Sequence, residues 1–382
     1  MLELLHLSNC KIATFAKRLY ILFIILIFSF DFNYCLFSNE KNKILLGIDV
    51  LEANNFSILH DKRIGLLTHP AGVNNKGIST IKIFTENKKI NCVALFGPEH
   101  GIYGDEKANQ TIKDRIDPTT GLKVYSLYGE YRKPRPYMLS KIDTLVIDLQ
   151  DIGVRSYTYI SCMLYAIEAC FEEGVEVIIL DRPNPLGGRK VNGPILEKKF
   201  KSYVGAFPIP YVHGLTIGEL AILSKEMPDW MSISDDIREK GRLKIIKMKG
   251  WNRDMIWPST GLEWIPTSPN IPSFTAAVGY AMTGLGAQEG GFSHGIGTSY
   301  PFRLLSHELL ASNDLLNLLK AYNIEGAEFK IVKTNNSRGL PINGIYVGIN
   351  NWEKLNLTEL SFYMMHIAWK IENENPFLSS SR

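Results

Sequence analysis

Cysteine is scarce in this chain, at five of 382 residues. Only Cys92, Cys162 and Cys170 lie past the first forty positions, an odd number without C-x-x-C spacing. Cys162 and Cys170 fall on one expected helix, about 12 Å apart by helical rise, which is beyond disulfide reach. A disulfide scaffold is therefore not expected, and apolar packing is the expected role of all three. An excess of one charge is also missing: 42 Lys and Arg stand against 39 Asp and Glu, a net +3. That balance is too even for a nucleic-acid binder or a polybasic membrane surface. No repeat of fixed period and no low-complexity tract occurs, which argues against solenoids and propellers. The two common nucleotide cradles are absent: there is no G-x-x-x-x-G-K-[ST], and no G-x-G-x-x-G after the first expected strand. H-E-x-x-H is absent too, and the eight His are scattered, so neither a metal site nor a cofactor is expected.

What is present describes a large folded protein. Hydrophobic residues make up 45% and charged residues 21%, and at roughly 150 residues per domain the length suggests two domains. Lys11, Lys17 and Arg18 precede an apolar run over 19–30 that Asp31 closes. A basic flank before about a dozen apolar residues fits a secretory leader and falls short of the ~20 needed to span a bilayer. Residues 1–40 are read as a signal peptide, with an uncleaved N-terminal anchor as the alternative. The mature protein is then expected in the periplasm or outside the cell, touching a membrane only through that segment. Cys35 invites lipidation, but Tyr34 stands where a small residue is wanted.

Beyond the leader, strands and helices alternate. Segments 63–69, 91–96 and 123–127 read as strands, and 143–149 and 175–180 as strands buried on both faces. Helices are expected over 77–87, 157–173 and 215–226, the last with Thr216 and Glu219 at capping-box spacing. This order predicts an α/β fold with a parallel sheet. The stretch 229–270 reads as a long loop. After Pro301 a helix over 304–322, strands over 328–334 and 344–349 and a helix over 357–372 suggest a smaller α+β domain.

Ligands of such sheets bind beyond the carboxyl ends of the strands. Four strands here end in polar residues: Thr68-His69; Glu99-His100; Asp148, Gln150, Asp151 and Arg155; and Asp181, Arg182 and Asn184. With Glu263 as a further carboxylate, and Tyr157, Tyr159, Trp251, Trp257 and Trp264 as aromatics, the set suits glycoside hydrolysis. That chemistry needs a carboxylic acid, a second charge and a surface on which a sugar stacks.

The stretches FGPEHGIYGD (96–105), IDLQDIGVRSYTY (147–159), LDRPNPLGG (180–188) and HGLTIGEL (213–220) resemble the NamZ-type exo-β-N-acetylmuramidases. WPSTGLEWIPTSPNIPS (257–273) and GIGTSYPF (295–302) follow in the same order. The resemblance runs from about Gly47 to the 340s. It implies a Rossmann-like sheet domain (41–295) and a smaller α+β domain (296–382, a shortened form of the family's), with a cleft between them. It also implies removal of N-acetylmuramic acid from the non-reducing end of peptidoglycan fragments, and makes Glu99 the leading catalytic candidate. Tyr103 stands where the family usually has Arg, and GGFSHGIG around His294 departs from its pattern.

The bond breaks through an oxocarbenium-like transition state, so the leaving oxygen needs a proton donor, which Glu99 on a cleft floor suits. Asp148, Asp151 or the substrate's own acetamido oxygen are candidates to stabilise the other face. The lactyl carboxylate of muramic acid calls for a cationic fork, for which Arg155 and Arg182 are candidates. His100, Gln150, Tyr157, Asn184, His213, Glu263 and Asn270 complete the expected substrate contacts. The competing reading is an exported sugar-binding protein that turns nothing over.

Overall fold

The computed structural model describes residues 43–106, 112–285 and 290–371. The expected leader, with Cys35, lies outside them. Seven strands form the main sheet: β1 (Arg63–Thr68), β2 (Asn91–Gly97), β3 (Arg115–Ile116), β4 (Lys123–Ser126), β5 (Thr144–Asp148), β6 (Glu176–Leu180) and β7 (Leu243–Ile246). Their order is β3-β4-β2-β1-β5-β6-β7, parallel throughout except for the short edge strand β3. The fold is α/β, as the buried apolar runs predict.

Alternation along those runs builds two cores. Leu67, Phe96, Leu145, Ile147, Val177 and Ile179 join one cluster, together with α4 (Thr158–Glu172). Ile64, Leu66, Leu95, Val146, Ile178 and Leu180 join the other, which takes in α1 (Gly47–Ala53) and α2 (Thr80–Glu86). Every residue of β5 and β6 is buried, because helices cover both faces. Gly47 starts α1 so close to the sheet that a Cβ there would sit 2.4 Å from the Asp181 nitrogen. A short helix, α3 (Pro136–Leu139), precedes β5, and α5 (Ile217–Glu226) carries the expected capping box between Thr216 and Glu219.

Three expectations differ from the fold. The presumed loop 229–270 contains α6 (Asp235–Lys240), capped by Ser234, and the edge strand β7. Only four residues long and partly exposed, with Lys244 inside it, β7 lacks the apolar run that marks its neighbours. A buried helix, α7 (Phe274–Thr283), follows. Its small apolar residues are covered nearly all round, so it shows no amphipathic period. The helix expected over 304–322 is instead β9 (Leu304–His307), a turn, and α8 (Ser312–Ala321). With β8 (Phe292–Ser293), β10 (Ala327–Asn335) and β11 (Pro341–Ile349), β9 forms a second, antiparallel sheet of order β10-β11-β9-β8. The last helix described, α9 (Glu359–Ile371), packs against α7, and Ser361 donates to the Met282 carbonyl at 2.8 Å. Leu305, Ile345, Val347 and Met364 belong to the same apolar cluster as Ile147, so one core runs from the first sheet into the second.

The cysteines behave as small apolar groups. All three are unpaired, Cys162 and Cys170 are buried inside α4, and burial pushes the thiols of Cys92 and Cys162 up to about 12.

Candidate active site

The chain runs from β1 outward to β2 and β4, then returns to β5 on the other side of β1. Such a reversal is where α/β sheets place their binding crevices, and here it falls between β1 and β5, where Thr68 and Asp148 lie in register. Asp148, expected to take part in catalysis, is fully buried. Arg182 grips it with two hydrogen bonds, 2.6 Å from Nε to Oδ1 and 2.8 Å from Nη2 to Oδ2, and Thr80 donates to Oδ2 at 2.5 Å. The second Arg182 contact from Nη2 goes to the Val73 carbonyl. The structure therefore assigns Asp148 and Arg182 to an internal ion pair, not to catalysis or to the lactyl group. Both oxygens and the guanidinium are held inside the protein.

Arg155 is corrected in the same way. Its Nη1 donates to the carbonyls of Pro194 and Ile209, at 2.7 and 2.5 Å, and the group is buried beside the Tyr211 ring. It ties the 190s and 209 segments to the end of β5. Asn184 spans a turn, accepting from Leu186 N and donating to the Leu215 carbonyl, so its amide is likewise engaged. Gln150 donates to the carbonyls of Asp151 and Pro183, while its Oε1 is buried without a hydrogen-bond partner among the described residues.

Glu99 is placed differently. β2 ends at Gly97, and Pro98 to Gly101 turn sharply, with Gly101 N donating to the Pro98 carbonyl at 3.0 Å. His100 takes up the turn in the left-handed region (φ 70°), and its Nδ1 lies 2.9 Å from the Glu106 carbonyl. This places His100 as a loop anchor and leaves the Glu99 side chain half-buried. Thr158, the first residue of α4, donates from Oγ1 to Glu99 Oε2 at 3.0 Å. Burial and the nearby Glu99 charge raise the Tyr128 phenol, in the loop after β4, above its ordinary value. Tyr159 OH lies 3.2 Å from the Glu99 carbonyl and 2.8 Å from that of Thr267. Tyr157 OH donates to Thr267 Oγ1 at 3.0 Å, and the rings of Tyr157 and Tyr159 are 4.8 Å apart. Burial raises both phenols above their ordinary value, which keeps them as donors.

Asp151 is the second carboxylate of this region. Its Oδ2 accepts from Gly153 N at 2.8 Å and lies 3.2 Å from His213 Nε2, while Oδ1 is buried without a hydrogen-bond partner among the described residues. His213 Nδ1 accepts from Leu215 N at 3.2 Å, while Nε2 is buried without a well-aligned hydrogen bond among the described residues. The charges of Glu99 and Asp151 both act on the Tyr280 hydroxyl, which itself sits 3.2 Å from Ser156 Oγ. Glu263 is exposed and Asn270 half-buried, and neither side chain has a hydrogen bond among the described residues. The indoles pack: Trp257 is buried edge-on against Trp264 at 4.9 Å, and Trp251 lines the core under α1. Tyrosines, not tryptophans, surround Glu99. Tyr103 lies further out and donates to Asp117 Oδ2 at 3.1 Å.

Sequence reading missed Tyr128 and Thr158. The strand-end rule would have found Tyr128 had it been applied to the short strand β4. Thr158 follows from the helix N-terminus facing β2. A Gly-Phe-Ser-His-Gly run at 291–295 matches G-x-S-x-G, but Ser293 lies in the antiparallel strand β8, without the strand-turn-helix elbow that motif needs.

His69, at the end of β1, accepts from Gln150 N at 2.9 Å and stands edge-on to Tyr159. Burial, helped by the Arg182 charge, lowers it to about 3, and burial lowers His294 to about 4. Both stay neutral in the fold and bind protons on unfolding below pH 6.5, so acid destabilises the fold. Asp181 opposes them: burial raises it to about 6, so between its unfolded value of 3.8 and 6 the folded state holds the extra proton. Two protons against one leave stability falling as pH drops from 6.5 toward 4. Each histidine contributes up to about 1.4 kcal/mol per pH unit. In urea titrations at pH 7, 6 and 5, His69→Gln should flatten this fall by about one proton. An unchanged slope would refute the assignment.

A mostly parallel α/β sheet with a half-buried carboxyl just past a strand end, held by a hydroxyl donor and with a second carboxylate in the same region, is an arrangement suited to a hydrolase. Residues 64–275 match the family model described as exo-beta-N-acetylmuramidase NamZ, N-terminal, and 278–380 match its C-terminal counterpart. The chain belongs to the NamZ exo-β-N-acetylmuramidase family. It is 44% identical over 292 residues to the peptidoglycan beta-N-acetylmuramidase NamZ of Bacillus subtilis (strain 168), covering 76% of this chain and 68% of that one. Among solved structures, a DUF1343 family protein from Bacteroides fragilis NCTC 9343 matches with TM-score 0.77 at 42% identity, over 86% of this chain and 83% of that one. A second DUF1343 protein of that organism matches with TM-score 0.66 at 30% identity, over 87% and 84%.

Proposed function

We propose that this chain is a glycoside hydrolase that removes N-acetylmuramic acid from the non-reducing end of peptidoglycan fragments, with Glu99 as its general acid. The family and the 44% identity to a peptidoglycan muramidase support the activity. The observation that carries the residue assignment is the Glu99 carboxyl itself. It projects from a strand end, half-buried, with the Thr158 hydroxyl fixing its orientation and the Tyr128 phenol close enough to feel its charge. A positioned acid there protonates the leaving glycosidic oxygen as the sugar gains oxocarbenium character. Asp151, with one oxygen held by Gly153 and facing His213 and the other unpartnered, supplies negative charge on the same side of the crevice. Release of N-acetylmuramic acid from a chromogenic β-glycoside tests the activity. Binding of that glycoside without release would leave a sugar-binding protein instead.

We further propose that the protein works outside the cytoplasm, delivered by the basic-then-apolar leader. Cleavage is expected between about Cys35 and Lys41, by the usual spacing of a leader's cut site. Intact-mass measurement of the exported protein checks this, and recovery only of membrane-embedded full-length chain would refute it. Among the described residues no helix is long and apolar enough to cross a membrane.

A further inference from the structure

The structure leaves the lactyl carboxylate of the substrate without either of its expected partners, since Arg155 and Arg182 are tied to internal groups. A third guanidinium rests on the Tyr128 ring. Arg132, in the loop after β4, is exposed and has neither a hydrogen bond nor an ion pair among the described residues. It is nevertheless held in place. Its guanidinium carbon lies 4.4 Å from the centroid of the Tyr203 ring and 5.2 Å from that of Tyr128. Those two rings, themselves 6.1 Å apart, are almost wholly buried and give the cation a fixed aromatic seat. A guanidinium resting on aromatic faces keeps its N–H edge free, and that edge is the one that matches a carboxylate with two parallel hydrogen bonds.

Several of its cationic neighbours are already committed, and Arg135 rests on a different ring, that of Tyr131. Lys133 pairs with Glu168 and Glu172, Lys201 donates to the Trp230 carbonyl, and Arg115 pairs with Glu106. Tyr128 links the two functional ends of the site. Its ring carries Arg132, and the Glu99 charge acts on its hydroxyl, so acid and cation both lie close to this one aromatic side chain. A pyranose has similar breadth between its anomeric oxygen and the oxygen that bears the lactyl group.

We propose that Arg132 is the carboxylate-binding group of this site, receiving the lactyl carboxylate that distinguishes muramic acid from glucosamine. This rests on the muramidase reading above and deepens it: Glu99 acts at one end of the sugar and Arg132 selects at the other. The cation is preorganised, so the substrate's carboxylate meets it without a rearrangement.

The test compares two chromogenic glycosides, of N-acetylmuramic acid and of its lactyl carboxamide, which keeps the shape and loses the charge. The wild-type chain should prefer the acid by about ten- to a hundredfold in kcat/KM, the usual range for a charge-assisted pair. In Arg132→Met that preference collapses to about one, with the loss carried by KM. Arg132→Lys, which keeps the charge and loses the fork, retains part of it. A wild-type chain indifferent to the charge overturns the proposal, as does a Met variant that keeps the preference or loses both substrates equally. Cleavage of neither glycoside by the wild type would overturn the proposed activity and leave Arg132 to calorimetry. Binding of free N-acetylmuramic acid that survives Arg132→Met would then overturn its role.

Discussion

Exchanging Glu99 for glutamine leaves the chain folded and lowers its turnover of a muramic acid glycoside by about 10²–10⁴-fold, the usual cost of losing a positioned proton donor. The amide matches the carboxyl in shape, and the side chain is half-buried, so no charge is stranded in the core. The Thr158 hydroxyl that donates to Oε2 rotates to accept from an amide nitrogen in the same place, which preserves the contact. The loss should fall on kcat, because the acid works on the transition state and not on the bound sugar. Release of N-acetylmuramic acid by the variant at near wild-type rate would remove Glu99 from the mechanism. Substrates with a better leaving group provide a sharper reading. As the leaving oxygen needs its proton less, the gap between wild type and variant should narrow, whereas a misfolded variant would lose all substrates alike.

How much of this site could be read in the sequence depends on where each partner lies. The strands β5 and β6 were legible because their apolar runs are uninterrupted, and the Asp and Glu at strand ends followed from the parallel topology. Which of those carboxylates is free was not legible. Glu99, Asp148 and Asp181 look alike in sequence, each a single acidic residue after an apolar strand. In the fold, Arg182 reaches across 34 residues of chain to Asp148, Gly218 N donates to Asp181, and among the described residues the Glu99 carboxyl meets the Thr158 hydroxyl and no cation. These partners come from other strands and helices, and no local spacing announces them. The edge strand β7 and the helix α7 were hidden for the opposite reasons: one is too polar to stand out, the other too uniformly apolar to show a period. Tyr128 and Arg132 sit after β4, whose four residues with alternating burial give a weaker signal than the central strands. The chemistry of the site was therefore readable by class, and its division between structural and reactive residues was set by tertiary contacts alone.

The Asp148–Arg182 pair gives that division a measurable form. Asp148→Asn and Arg182→Met are each expected to destabilise the fold by about 3–5 kcal/mol, the cost of leaving one buried charge without its partner. Asp148 is wholly inaccessible and Arg182 almost so, and both guanidinium contacts to the carboxylate are shorter than 3 Å, so water cannot replace either partner. Combining the two substitutions should recover part of the loss, because the double variant strands no charge. The coupling read from the double-mutant cycle is then the signature of the pair. Activity provides the independent check. A structural pair predicts that the folded fraction of Asp148→Asn turns substrate over with a nearly normal KM and only a modest change in kcat. A catalytic Asp148 predicts the reverse, a stably folded variant whose kcat falls by orders of magnitude. Thr80 and the Val73 carbonyl complete the same network around β1 and β5. Its loss should therefore loosen the strand ends that form the crevice, and the urea midpoint should fall before any specific effect on the sugar appears.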